Sequence, residues 1–159
     1  MTTRTRHILL GLACTLALVP LRAAANPSAS PTSEAKQYTG KVVPLADLLA
    51  KQGIKLDADA RPYWLALVTD EGKIYPLIKD GGARLFFLDK ALWNRPMRLT
   101  GQLLPGSQLL RVQIAHSLKN GKLYEIYYWC DVCSIRRGEK MPSCECCGGP
   151  MVLHEDPIK

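Results

Sequence analysis

The sequence predicts a mainly β protein: a small closed or partly closed barrel with one short helix, followed by a cysteine-rich tail. Three observations point there. Five or six short strands are expected between residues 38 and 129, separated by turns that carry Gly or Pro. One early segment, opening at Pro44, has helical spacing. Five of the six cysteines sit in the last quarter, in "YYWCDVCSIRRGEKMPSCECCGGPM", residues 127–151.

Taken in order, the chain begins with a basic start at Arg4, Arg6 and His7, an apolar run "ILLGLACTLALVPL", and the small residues of "RAAAN". This is the three-part build of a secretory signal peptide. The expectation is a signal over residues 1–25, cleaved near Ala25, and a periplasmic or secreted protein. The apolar run ends at Pro20 and Arg22, too short for a comfortable membrane span. No later segment is long and apolar enough to cross a bilayer. A lipoprotein signal at Cys14 is disfavoured, because Gly11 stands where such signals usually carry Leu and the apolar stretch continues past the cysteine.

Removing residues 1–25 takes three of the 21 basic residues and none of the 14 acidic ones, which lowers the net charge from +7 to +4. Four thiolates around a divalent cation would subtract two more. The high isoelectric point is therefore no argument for nucleic acid, and export argues against that partner. Residues 26–37, "NPSASPTSEAKQ", are rich in Pro, Ser and Ala without apolar periodicity and read as a flexible leader.

The domain expected over residues 38–129 opens with "YTGKVV" as a strand. "PLADLLAKQG" follows as the helix, with Leu45, Leu48 and Leu49 on one face and Gly53 as the stop. "YWLALVTD" and "KIYPLIKD" flank the short turn "EG" and suggest a hairpin, and Pro76 confines the second strand to an edge or a bulge. "ARLFFL" is another apolar run. "MRLTGQLLPG" and "LLRVQIAHSL" are further strand candidates around a Pro/Gly turn. Asn120-Gly121 is the strongest hairpin signal and leads into "KLYEIYYW", with Tyr124, Ile126 and Tyr128 on one face and Glu125, Tyr127 and Trp129 on the other. Trp64 and Trp93 read as core or barrel-rim aromatics rather than as a stacking platform.

The stretch "RPMRLTGQLLPGSQLLRVQIAHS" resembles the later strands of an OB-fold, in which a strand ending in Gly is followed by a turn and a long apolar strand. That resemblance covers about half of the domain and implies a fold, not a ligand.

Cys130 and Cys133 form one CxxC and Cys144 and Cys147 a second, ten residues apart. Each CxxC bends the chain so that two sulfurs converge, and two such turns together offer the tetrahedron of thiolates that zinc prefers. With "CDVC" as the first knuckle and "CECCGG" as the second, residues 130–153 resemble a zinc ribbon packed on the barrel. Two positions depart from that pattern: Ser134 stands where many ribbons carry Gly, and Cys146 adds a fifth sulfur, read as a bystander. The metal sites implied are Cys130, Cys133, Cys144 and Cys147, with Zn2+ as the cofactor. Iron in a rubredoxin-like cage, or copper, satisfies the same spacing. The "CCGGPM" ending also looks like the soft-metal tails of bacterial exported copper-handling proteins, to which Met141, Met151 and His154 could add ligands.

Structural disulfides and a thiol-disulfide or electron-transfer centre are the competing readings, since an oxidising compartment closes unprotected CxxC pairs. Enzymatic chemistry is not expected. His116 and His154 lie in no HExxH pattern, there is no GxSxG, and "KLDADARP" makes Asp57 and Asp59 a solvated loop. Four protein sulfurs would also leave zinc without the open position that hydrolysis needs. The functional expectation is an exported, non-enzymatic metal-binding protein. It would be a binding or adaptor module whose partner is an unknown protein or small ligand, met by the barrel face and the basic loop of Arg136, Arg137 and Lys140. A periplasmic copper carrier and a redox protein are the alternatives.

Overall fold

The computed structural model describes residues 34–159. The expected signal peptide over 1–25, Cys14, and the leader up to residue 33 lie outside the described residues. The elements are β1 (Lys36–Pro44), α1 (Leu45–Ala50), β2 (Leu65–Thr69), β3 (Ile74–Pro76), α2 (Arg84–Leu88), β4 (Pro96–Leu103), β5 (Leu110–Lys119), β6 (Lys122–Cys130), β7 (Ile135–Arg137) and β8 (Val152–Pro157). Short 3-10 turns, Gly81–Ala83 and Lys90–Leu92, flank α2.

The strands form one sheet in the order β3-β2-β1-β4-β5-β6-β7, with β8 also on β6. Every ladder is antiparallel. The sheet is not closed by a ladder. Across the gap an isolated parallel bridge joins Leu77 and Leu110, where the Ile78 N–H donates to the Leu110 carbonyl at 3.1 Å. Two glycines allow the strands to coil this tightly. A Cβ on Gly40 would stand 2.1 Å from the Val68 carbonyl oxygen, and one on Gly101, at the β4–β5 register shift, 2.3 Å from that of Arg111.

The apolar core sits inside this curve. Val42, Leu67, Leu92, Leu99 and Leu110 are fully buried there. Each side chain of this size contributes about 1.5–3 kcal/mol by leaving water. The run at residues 83–88 joins the core as a helix and not as a strand. Leu85 and Phe86, consecutive in sequence, are both buried, which a strand's alternation does not allow when one face meets the core. The Trp93 indole N–H donates to the Phe86 carbonyl at 2.7 Å and fixes the helix end. Trp93 is thereby a core residue, whereas Trp64 is largely exposed, a difference from the expectation for that tryptophan.

The Asn120-Gly121 hairpin forms as the sequence indicates, with both residues at positive φ (50° and 76°), the conformation a tight two-residue turn requires. Ile126 and Tyr128 point inward as their alternation predicts. β8 covers one edge of β6 from Tyr124 to Trp129. β5 and β7 must therefore share the other edge end to end, β5 at residues 122–125 and β7 at 128–130. β6 thus leaves β5 half-way along and carries the chain out to Cys130. No helix among the described residues is long and apolar enough to cross a membrane.

Candidate metal centre

Cys130 is the last residue of β6, and β7 returns from it with Ile135 opposite Cys130, so the first CxxC is the tip of a hairpin. The Ser134 N–H donates to the Cys130 carbonyl at 2.8 Å, and Ser134 has φ 53°. The second CxxC repeats this turn: the Gly148 N–H donates to the Cys144 carbonyl at 2.9 Å, and Gly148 has φ 70°. In both knuckles the residue after the second cysteine is left-handed, which glycine adopts without cost and serine does not. At Gly148 the backbone conformation alone demands glycine, because a Cβ would meet open space. At Gly149 a Cβ would come within 3.2 Å of the Cys147 sulfur.

The four predicted sulfurs are brought together. The Sγ atoms of Cys130, Cys133, Cys144 and Cys147 all lie within 4.8 Å of one another, and those of Cys130 and Cys147 are 3.5 Å apart. A tetrahedron with Zn–S bonds of about 2.3 Å has sulfurs about 3.8 Å apart, so small side-chain adjustments complete a coordination sphere. Cys130 and Cys144 are buried, Cys133 half-buried and Cys147 exposed, which puts the cluster just under the surface. All five cysteines of the described residues are free. Cys146 is exposed and its sulfur is not one of the converging four.

The backbone prepares the cluster for a cation. Amides of Cys147 and Cys146 point at the Cys144 sulfur and bring its thiol down to about 7. The Gly149 N–H reaches the Cys147 sulfur at 3.4 Å. At Cys133 the neighbouring thiols of Cys146 and Cys147, together with burial, push ionisation up. At Cys130 the Cys133 amide favours the thiolate, but burial and the thiols of Cys144 and Cys147 outweigh it and the net direction is upward. The Cys144 thiolate forms easily while Cys130 and Cys133 resist, as expected where sulfurs gather without a counter-charge. A divalent cation reverses that balance. The donor set, all sulfur, suits zinc, iron or Cu(I) and leaves the ion's identity open.

His154 is not brought to the sulfurs. It lies on β8 opposite Tyr127 and stacks on that ring at 5.5 Å. Met141 and Met151 are half-buried. The cations of the connecting loop are engaged within the chain. Arg136 pairs with Glu125 and covers the Tyr127 ring at 4.0 Å, Arg137 pairs with Glu145 at 2.7 Å, and Lys140 reaches Asp89 at 3.2 Å. Asp57 and Asp59 lie in an exposed turn.

Two anchoring carboxylates escape sequence reasoning. Asp89 is buried and accepts from the Ala91 N–H at 3.0 Å, the Tyr128 hydroxyl at 2.8 Å and Lys140. Burial opposes its ionisation, but these three donors outweigh burial and hold it below the ordinary carboxylate range. Tyr128 is correspondingly pushed far up, by burial first and by its hydrogen bond to Asp89 second. Lys140 lies between the two CxxC pairs, so this cluster ties the cysteine loop to the turn after α2. The second carboxylate is Glu155 on β8, which pairs with Arg95 and with Lys119, the latter at 2.6 Å. Asp89 directly before "KAL" has the form of a helix cap, a signal for its turn but not for its long-range partners. Nothing in the sequence singles out Glu155.

Comparison with protein families, with curated proteins and with solved structures finds no family, no protein and no structure that matches this chain.

Proposed function

We propose that the chain is an exported, non-enzymatic binding or adaptor module whose C-terminal segment is held by a structural four-cysteine zinc site. The convergence of the Cys130, Cys133, Cys144 and Cys147 sulfurs within 4.8 Å carries this reading. Four thiolates fill a tetrahedral ion's sphere, so the metal's contribution is folding free energy, on the order of 10 kcal/mol in small units of this kind. The protein's share is to present those thiolates from two rigid turns, one of them the direct continuation of β6.

The barrel is read as OB-like. In the order β3-β2-β1-β4-β5 the two end strands approach at the Leu77–Leu110 bridge, which is the form of a five-stranded, partly open barrel. Where β6 forks away from β5, a cleft of about 480 Å³ opens between Gly82, Ile114 and His116 on one side and Arg137 and Glu139 on the other. Its volume is that of a small-ligand site, and it is the place where a ligand or partner segment fits this module. Export rests on the basic, apolar and small-residue pattern of residues 1–25.

A soft-metal carrier is the second reading, favoured by the exposure of Cys147 within the cluster and of Cys146 next to it. Elemental analysis of the exported protein with a free-thiol count separates the two. Structural zinc requires one zinc per chain that survives dialysis, with Cys146→Ser retaining it and Cys147→Ser losing it. Metal-free protein with intact thiols, or with disulfides, overturns the metal site. Cu(I) that exchanges freely and is lost with Cys146→Ser would establish the carrier instead.

A further inference from the structure

The loop between α1 and β2 ends in "RPYW", residues 61–64, and presents its two aromatic rings to solvent. Tyr63 is 65% exposed and Trp64 is 55% exposed, and Leu88 at the end of α2 is exposed as well. Consecutive large aromatics left in water make an apolar patch on the surface, and such patches mark contact surfaces. Cations interleave with the rings of this region. Lys79 stands 5.7 Å from the Tyr63 ring and 5.6 Å from that of Phe87, which joins Tyr63 to α2. Arg61 and Lys90 lie 5.4 Å and 5.8 Å from the Trp93 ring. The Tyr63 ring thus holds Lys79 at the exposed aromatics, whereas the Trp93 ring that Arg61 and Lys90 cover belongs to the core.

We propose that this surface, centred on Tyr63, Trp64 and Lys79, docks the protein on an anionic lipid surface. The side chains match what such a surface selects. Trp and Tyr settle at the headgroup level, where the ring is half in hydrocarbon and its polar atom stays wet, while Lys and Arg meet the negative headgroups. The charge is complementary: Lys79 and Lys90 have no acidic partner among the ion pairs of the described residues, and Arg61 pairs with Asp47 at a half-exposed site. Tyr63 and Trp64 lie on the protein's outside and line none of its principal clefts, so they suit a compliant layer that accepts protruding side chains better than a ligand that must be enclosed. The inference stands on residues 61–93 and is independent of the metal site.

Co-sedimentation of the metal-loaded full chain with vesicles of phosphatidylcholine, with and without phosphatidylglycerol, tests it. Binding is expected with phosphatidylglycerol, weakened by salt, and accompanied by a blue shift of tryptophan emission. Tyr63→Ala with Trp64→Ala should lower the affinity about tenfold, in line with the apolar area withdrawn. Lys79→Gln, which leaves both rings in place, should lower it about fivefold. Both substitutions fall on exposed side chains, and far-ultraviolet circular dichroism verifies that the fold is kept. No sedimentation with phosphatidylglycerol vesicles, or equal binding by wild type and the aromatic double variant, overturns the proposal.

Discussion

Ser134 and Gly148 occupy the same place in the two knuckles, at φ 53° and 70°, and they differ in what that conformation costs. A side chain at left-handed φ costs about 1–2 kcal/mol, and glycine returns part of that gain through its greater freedom in the unfolded chain. Ser134→Gly should therefore raise the stability of the metal-loaded protein by about 0.5–1 kcal/mol, read as a higher midpoint in thermal unfolding. Gly148→Ala should lower it by about 1–2 kcal/mol. An unchanged midpoint in both would mean that the knuckles tolerate other backbone conformations. At this scale the site was legible, because CxxC spacing states a local geometry that needs no partner from elsewhere. The register was legible too: Cys144 and Cys147 carry the spacing and their sulfurs converge with the first pair, whereas Cys146, a neighbour of the Cys133 thiol, is not one of the four.

At the scale of elements, local patterns sufficed where an element's own alternation or turn defined it, as in β6 and the Asn120-Gly121 hairpin. They failed where burial is decided by tertiary contacts. "ARLFFL" has no period that distinguishes a buried strand from a single helical turn, and α2 results from burying Leu85 and Phe86 together. β7 is three residues long, and β8, "VLHEDP", has little apolar alternation, because its pairing with β6 and its charges to Arg95 and Lys119 replace a buried face. The tie between elements has a measurable worth. The Tyr128 hydroxyl donates to buried Asp89 at the foot of β6, and a hydrogen bond to a charged acceptor contributes about 1.5–3 kcal/mol. Tyr128→Phe keeps the ring in the core and removes only that donor. It should lower denaturant stability by about that amount with an unchanged m-value. A loss below about 0.5 kcal/mol would show that Ala91 and Lys140 satisfy Asp89 without it.

Over the whole molecule, acid and metal act on different parts. Glu155 is nearly buried; burial opposes its charge, but Arg95 first and then Lys119 overcome it and hold the carboxyl down to about 2. The ordinary value in an unfolded chain is about 4.3, so the folded state favours the ionised form. Its stabilisation, about 3 kcal/mol by linkage, is complete above the unfolded value and fades as pH falls from there toward 2. Glu155→Gln should flatten that acid limb of the stability curve, and an unaltered limb would remove Glu155 as its cause. Metal loss acts elsewhere. The curved sheet keeps its own core of Val42, Leu67, Phe86 and Leu99, whereas residues 131–151 hold almost no buried apolar side chain and depend on the cysteines, Lys140 and short ladders. If the cysteines hold a metal, a chelator at neutral pH should therefore open the chain locally before it unfolds the sheet and its core. In hydrogen exchange, the amides of Ser134 and Gly148, which close the two knuckles, should lose protection on chelation while those of β1 and β4 keep theirs. Simultaneous loss in all four would mean that the metal supports the sheet's core as well, and that β6 transmits the strain of an empty site into it.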